Sequence, residues 1–365
     1  MALITTTYKE LDKSKDTTST KTKIHEVIPI TGSVVSGTYS DNNIKTYTHG
    51  MFTSVYDYPY LSSSANHIFD ITAGAWPSGD YGTAGANPVL ASGANATEKY
   101  NIYSQMAQIL VGHDETGSIR PIDHTGDILT TAATNKFQTP LIVPFTRLLT
   151  KDEIEKGTFS ISMGTGSYAT PFDGTAITLS DVKAAAGATQ TYFANSPAGE
   201  YGLLYTGSTS ATAGTPVGLV FYQSGVAVLE LSSSDSAYNL LSTGNELISG
   251  QTHEESFVSG TIDQLGNALR HRINNISFNN TTELNSTIYF CRVHHNEFAY
   301  STNPTYLSGS EIRVKNGNAD NPPLSYITTV GLYGSDNELL ATAKLSEPIK
   351  NTDSNEFTIR VRLDY

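Results

Sequence analysis

Two short segments hold the residue types that chemistry most often needs. Between His113 and Asp127 the chain places His113, Asp114, Glu115, Asp123, His124 and Asp127 in one stretch. Carboxylates and imidazoles at that density are donors a divalent metal accepts. Their spacing is not that of an EF-hand loop, and the intervening Gly, Pro, Thr and Ser describe a turn-rich connection equally well. The turn is the favoured reading. The second segment is His294, His295 and Glu297. Neighbouring strand residues point to opposite faces, so the two imidazoles are not expected in one ligand sphere. A strand-end turn or an interface patch is favoured there.

Cys291 is the only cysteine, which excludes an intrachain disulfide and any multi-cysteine zinc site. It lies in the apolar run Thr287 to Val293, so a small buried hydrophobe is favoured over a nucleophile. Tyr56, Tyr58 and Tyr60 recur at period two, which reads as packing in a core or an interface; exposed, they would form a patch for a neighbouring subunit or a glycan. No phosphate-cradling glycine loop, G-x-S-x-G elbow or H-E-x-x-H helix is present. Paired carboxylates for glycoside cleavage must meet in space, and the linear order of 35 acids does not show which would. No catalytic, cofactor-binding or metal residue is therefore assigned. The expectation is a protein that is not an enzyme and takes no cofactor.

The elements that would position these residues read as mainly β with a few short helices. Residues 1–24 are polar and Lys/Thr-rich, an extended N-terminal arm that would order against a neighbour in an assembly. Residues 25–163 form a β-rich body with one helix near 96–112, where Tyr103, Met106, Ala107 and Leu110 make an apolar stripe. Asn95 with Glu98 resembles a capping box, and Gly112 a stop. Pro140 and Pro144 predict an edge or irregular strand over 138–145, and Thr150 a short helical turn. Thr158 to Met163 alternates as a strand, with Phe159, Ile161 and Met163 on one face.

Residues 164–250 turn rich in Gly, Ala, Ser and Thr, with Val217–Tyr222 and Val226–Leu231 flanking a hairpin signal; this is read as an inserted β-subdomain. Residues 251–365 read as an antiparallel β-sandwich-like C-terminal domain: a helix over 262–272, then strands over 273–278, 287–293, 325–333 and 338–345. Gly334 to Asn337 is a turn between the last two. Phe357, Ile359, Val361, Leu363 and Tyr365 alternate with Thr358, Arg360, Arg362 and Asp364 in a closing strand.

Charged residues make up only 16% against about 25% in ordinary soluble domains, so Ser, Thr, Asn and Gly must cover much of the surface. Neutral hydroxyls and amides cost less to desolvate than charges, which suits subunit contacts. The net charge of −13 argues against a nucleic-acid partner, whose phosphates need clustered Lys and Arg. No apolar run approaches the ~20 residues of a spanning helix, so membrane insertion is not expected. The first residues carry no basic-then-apolar leader, and synthesis in a cytoplasm is expected. Asn-X-Ser/Thr sites at Asn95, Asn275, Asn279, Asn280 and Asn285 follow from composition and are discounted.

The stretch Ile327 to Lys344, a strand ending in Gly-Leu-Tyr, a Ser-Asp-Asn turn and then Leu-Leu-Ala-Thr-Ala-Lys, resembles a recurrent segment of phage tail-fibre and baseplate proteins. The larger block Leu284 to Tyr365, with Phe298 to Thr305 and the closing Ile359 to Tyr365, is similar to structural proteins of large contractile-tailed phages, including those of cyanobacteria. Arg147 to Phe159 adds to the likeness. The resemblance covers about a third of the chain and implies a virion structural component, most simply a tail baseplate subunit, present as a homo-oligomer among other virion and tail proteins. It carries over no catalytic residues, and residues 164–250 have no counterpart in it. A neck or capsid-associated virion protein, and a receptor-binding or glycan-degrading tail protein, stand as alternatives.

Overall fold

In a computed structural model the protein is mainly β, with 43% strand and 17% helix. The structure describes residues 8–26, 30–33, 43–77, 93–126, 128, 136–149, 152–173, 176–185, 191–207, 216–231, 241, 247–295, 297–298, 305, 307–308, 311–312, 324–352 and 354–365. The chain divides into two compact units: a body, Ile24–Thr282, and a terminal unit made of Met1–Lys23 with Glu283–Tyr365.

In chain order the strands begin with β1 (Thr17–Glu26), β2 (Ile30–Ser33), β3 (Ile44–Lys45), β4 (Thr53–Tyr56), β5 (His67–Ala73), β6 (Leu141–Pro144) and β7 (Glu153–Ile154). They continue with β8 (Ser160–Gly164), β9 (Ala176–Ser180), β10 (Phe193–Ser196), β11 (Gly199–Tyr205), β12 (Pro216–Phe221), β13 (Val226–Leu229) and β14 (Ile273–Phe278). The last are β15 (Asn280–Val293), β16 (Leu307–Ser308), β17 (Glu311–Ile312), β18 (Ser325–Tyr333), β19 (Leu339–Asn351) and β20 (Phe357–Asp364). The helices are α1 (Lys13–Asp16), α2 (Ala96–Leu110), α3 (His253–Ser259) and α4 (Ile262–Arg272).

Among the described residues the body is built on a twelve-stranded sheet in the order β2-β14-β8-β9-β11-β12-β13-β6-β5-β4-β3, with β10 added on β11. Its residues form these strands for two reasons. β8 alternates, burying Phe159, Ile161 and Met163 and half-exposing Ser160 and Ser162. β13 is apolar throughout and buried at all four positions, the pattern of a strand covered on both faces. Two apolar clusters fill the body. Phe69, Phe145, Phe159 and Phe278 belong to one, and Tyr103, Phe137, Tyr201 and Phe221 to the other.

Several expectations change here. The segment read as an inserted subdomain is continuous with the sheet: β9, β11, β12 and β13 run through its middle, and β13 pairs with β6 at Val228↔Ile142. The described strands of this segment are part of the main sheet, not of a separate unit. β6 is accordingly central, between β13 and β5, despite its prolines. Pro140 precedes the strand and Pro144 ends it, so neither removes an interior ladder hydrogen bond. The helical turn expected after Thr150 is replaced by β7, which pairs with Asn280 and Thr281; Thr150 itself lies outside the described residues.

Helix α4 falls where the periodicity places it and is closed by a Thr261/Gln264 capping box. Asn95 takes a left-handed conformation at φ 51° and makes no side-chain cap, so the box expected with Glu98 does not form. α3, unforeseen, has a full box of Thr252 and Glu255. Both α3 and α4 belong to the body, so the unit boundary falls near residue 283 rather than 251.

In the terminal unit β20 pairs antiparallel with β15 from Ser286↔Asp364 to Val293↔Phe357. Of the residues expected to form an extended arm that orders against a neighbour, those in β1 pair within the chain's own sheet: β1 flanks β15, and Ser19 Oγ lies 3.1 Å from Thr287 Oγ1. β18 and β19 make a two-stranded hairpin whose turn places Asn337 at φ 64°. From Leu324 to Lys350 no residue of this hairpin is buried.

Candidate functional site

The acidic side chains of the loop after α2 are engaged in holding the loop. Asp114 Oδ1 accepts from the N–H groups of Thr116 and Ser118 and from the Thr116 hydroxyl, all within 2.9 Å. These bonds hold its carboxyl below the usual range. Asp123 accepts from Thr125 N–H and hydroxyl at 2.6 Å and takes a fully buried ion pair from Lys136 at 2.7 Å. His124 is buried against Phe137. Asp127 lies outside the described residues. The turn reading accounts for these contacts, because each described aspartate spends its lone pairs on the loop's own donors.

The second segment behaves differently from the alternation argument. β15 ends at Val293, so His294 and His295 are beyond the strand and free of its alternation. Both Nδ1 atoms approach the same oxygen of Glu356, at 3.7 and 2.9 Å. The bonds from His295 hold the Glu356 carboxyl below its ordinary value. Glu297 accepts from Lys9 Nζ at 2.7 Å and from His294 N–H, and its backbone carbonyl accepts from Asn351. Together with the bond from Ser325 Oγ to the Phe298 carbonyl, the Asn351 contact ties the two ends of the β18–β19 hairpin to the segment after β15.

Cys291 is half-buried opposite Ile359 on the apolar face of β15 and β20, and burial with the nearby Asp16 pushes its thiol up, away from the thiolate a nucleophile needs. The tyrosine stripe does not form as one face. β4 stops at Tyr56, and Tyr58 and Tyr60 lie exposed in the turn around Pro59, with Tyr60 folded back to 6.3 Å from Tyr56. Cross-strand pairing adds a Ser-Asp-His group that no spacing revealed. Asp70 Oδ1 accepts from Ser54 Oγ at 2.5 Å and lies 2.7 Å from His67 Nε2. The carboxylate stands between hydroxyl and imidazole, so the serine is not bonded to a base oriented by a third group, as the triad requires.

Further buried polar groups hold the body together. Lys99 Nζ donates to the carbonyls of Ala94, Phe257 and Gly260 at 2.5–2.9 Å, capping the end of α3, and burial lowers its pKa to about 8. Glu230 accepts from the N–H groups of Gln138 and Thr139, and Thr139 Oγ1 lies 3.1 Å from His253 Nε2. Burial lowers His253 to about 4. Asp181 accepts from Gly157 N–H, Phe159 N–H and Tyr222 hydroxyl, while burial raises it to about 6. Lys156 pairs with Glu153 and Glu200 at 3.1 and 2.8 Å. Lys99, Glu230, Asp181 and Lys156 are thus met by backbone groups, a hydroxyl or opposite charges, whereas His253 Nδ1 is buried without a hydrogen-bond partner among the described residues.

No family model, curated protein or solved structure matches the chain.

The hairpin surface is the most exposed apolar region of the described terminal unit, although Tyr333 meets the Tyr8 ring edge-on at 5.0 Å. Tyr326, Tyr333, Leu339 and Leu340 are 58%, 46%, 53% and 69% exposed. An isolated two-stranded hairpin is marginal in water, and three strands or a packed face are needed for stability. Apolar side chains contiguous on such an element mark an interaction surface. Charge is divided to match. By sequence position the body holds 22 acids and 10 bases, net −12, and the terminal unit 13 acids and 12 bases, net −1. The candidate functional site is therefore this near-neutral, apolar hairpin.

Proposed function

We propose that the chain is a non-enzymatic structural subunit of a tailed-phage virion, with the tail baseplate as its place. The observation that carries this reading is the long hairpin in which no residue from Leu324 to Lys350 is buried, an element whose stability asks for a partner. The likeness of Ile327 to Lys344 to tail-fibre and baseplate segments supports it, as does a body in which Lys99, Glu230 and Asp181 are held by its own backbone groups. On this reading the body supplies rigid geometry and the terminal unit supplies contacts. The neck and the capsid surface are rival positions within the same class. Mass spectrometry of purified particles tests the proposal: the chain is expected in stoichiometric amounts, with an image of the particle giving its position. Absence from the particles overturns it, as does substrate turnover by the lone protein. Tyr58, Tyr60 and Leu61, exposed together in one turn, favour glycan binding as a second reading, and a glycan array with Tyr58→Ala and Tyr60→Ala controls decides it.

A further inference from the structure

The exposed residues of the hairpin have a chemical counterpart in the same unit. At the tip, Asp336 and Glu338 are followed directly by Leu339 and Leu340, all four exposed. On β15 and β20 the register sets Phe290 beside Arg360 and Ile288 beside Arg362, with Arg292 one pair further along. Ile288 and Phe290 are half-buried and the three arginines exposed, so two apolar side chains lie within a border of guanidiniums. Arg362 holds Asp364 at 2.7 Å and Arg292 holds Asp16 at 3.4 Å. Arg360 makes no ion pair among the described residues. Two acids with two leucines thus match, in charge and in polarity, three arginines around an apolar pair.

We propose that the acidic tip of the β18–β19 hairpin seats on the arginine-bordered face of β15 and β20 in a second copy of this chain. The inference rests on the assembly reading above and names its partner. Three observations select another copy of the chain. The tip is exposed within its own copy, so it does not satisfy that face itself. Bodies of net charge −12 repel one another, leaving the near-neutral terminal unit as the region through which copies can approach. Edge-to-edge strand pairing is opposed by Pro348, Lys344 and Lys350 on β19, devices that blunt an exposed edge. Because donor and acceptor surfaces are different patches, two copies can exchange tips reciprocally in a closed dimer, or the contact can repeat head-to-tail into a ring or a filament.

Sedimentation velocity of the full chain over a range of concentrations tests this, with circular dichroism confirming the fold of each variant. Glu338→Arg alone and Arg360→Glu alone are each expected to raise the concentration of half-association by about tenfold or more, since like charges are brought together. The double variant, which exchanges the charges, is expected to return to within about threefold of wild type. Wild type that stays monomeric, single variants that associate unchanged, or a double variant that stays apart would each overturn the contact. A monomeric chain found in purified particles defeats this inference and leaves the virion reading standing. Absence from particles strikes the virion reading, and the charge exchange then judges the contact alone.

Discussion

The body and the terminal unit spend their apolar residues in opposite ways. Both apolar clusters lie wholly in the body, whereas the described terminal unit buries only Val293, Ile359 and Val361 among its hydrophobic residues. The body holds buried ion pairs and hydrogen-bonded polar groups such as Lys136–Asp123 and Asp181 inside. The terminal unit keeps little inside, shows tyrosine and leucine to solvent, and balances its charges. A sheet with both faces covered is a self-sufficient object, while a hairpin with neither face covered is half of one. The comparison teaches that stability within a copy and contact between copies are assigned to different stretches of chain.

The contrast can be measured because each unit carries its own probe: the single tryptophan, Trp76, is in the body, and the single thiol, Cys291, is in the terminal unit. The largest effect is expected from Lys99→Met. Orphaning the carbonyls of Phe257 and Gly260 at the end of α3 and of Ala94 before α2 should cost about 4 kcal/mol, read as a lower urea midpoint in Trp76 fluorescence. Gly157→Ala comes next. Gly157 has φ +80° and an added Cβ would collide with Ala185, so about 3 kcal/mol is expected in the same assay.

Acid should also act on the body. The folded His253 imidazole stays neutral down to about pH 4, whereas the unfolded one takes its proton near 6.5. The unfolded state therefore binds more protons between those values, and stability falls by about 3 kcal/mol as pH drops through that window. Asp181, raised to about 6 by burial, works the other way: its folded form holds a proton up to higher pH, so its cost appears as pH rises from about 4 to 6. His253→Gln should remove the first slope and leave the second, in urea titrations at several pH values. The smallest effect is expected from Leu340→Ser, within about 0.5 kcal/mol on folding because the side chain is exposed, followed by Cys291 thiol reactivity under urea. A large loss there would show that the hairpin is held within its own copy and would remove the contrast.

What the sequence made legible was periodicity. α4, β14 and β18 lie where their patterns place them, and β20 buries Ile359 and Val361 as its alternation requires. Neighbours in the sheet were hidden, because pairing joins residues far apart in the chain: nothing near Val228 announces Ile142, and nothing near Lys99 announces Phe257. The histidine pair lies in the strand-end turn its sequence suggests, but strand alternation does not separate the two imidazoles, because β15 stops at Val293. The hairpin was visible as two strands and a turn, but that neither face is covered is a property of the folded chain alone.

The order of strands in the body carries a further consequence for how the protein is made. β2 lies near the start of the body, yet its sheet neighbour is β14, near the end of it, and β14 in turn separates β2 from β8. As the nascent chain emerges from the ribosome, β2 has no place to dock until almost the whole body has been synthesised. Closure of the sheet is expected to be a late and slow event, with early strands left unpaired while they wait.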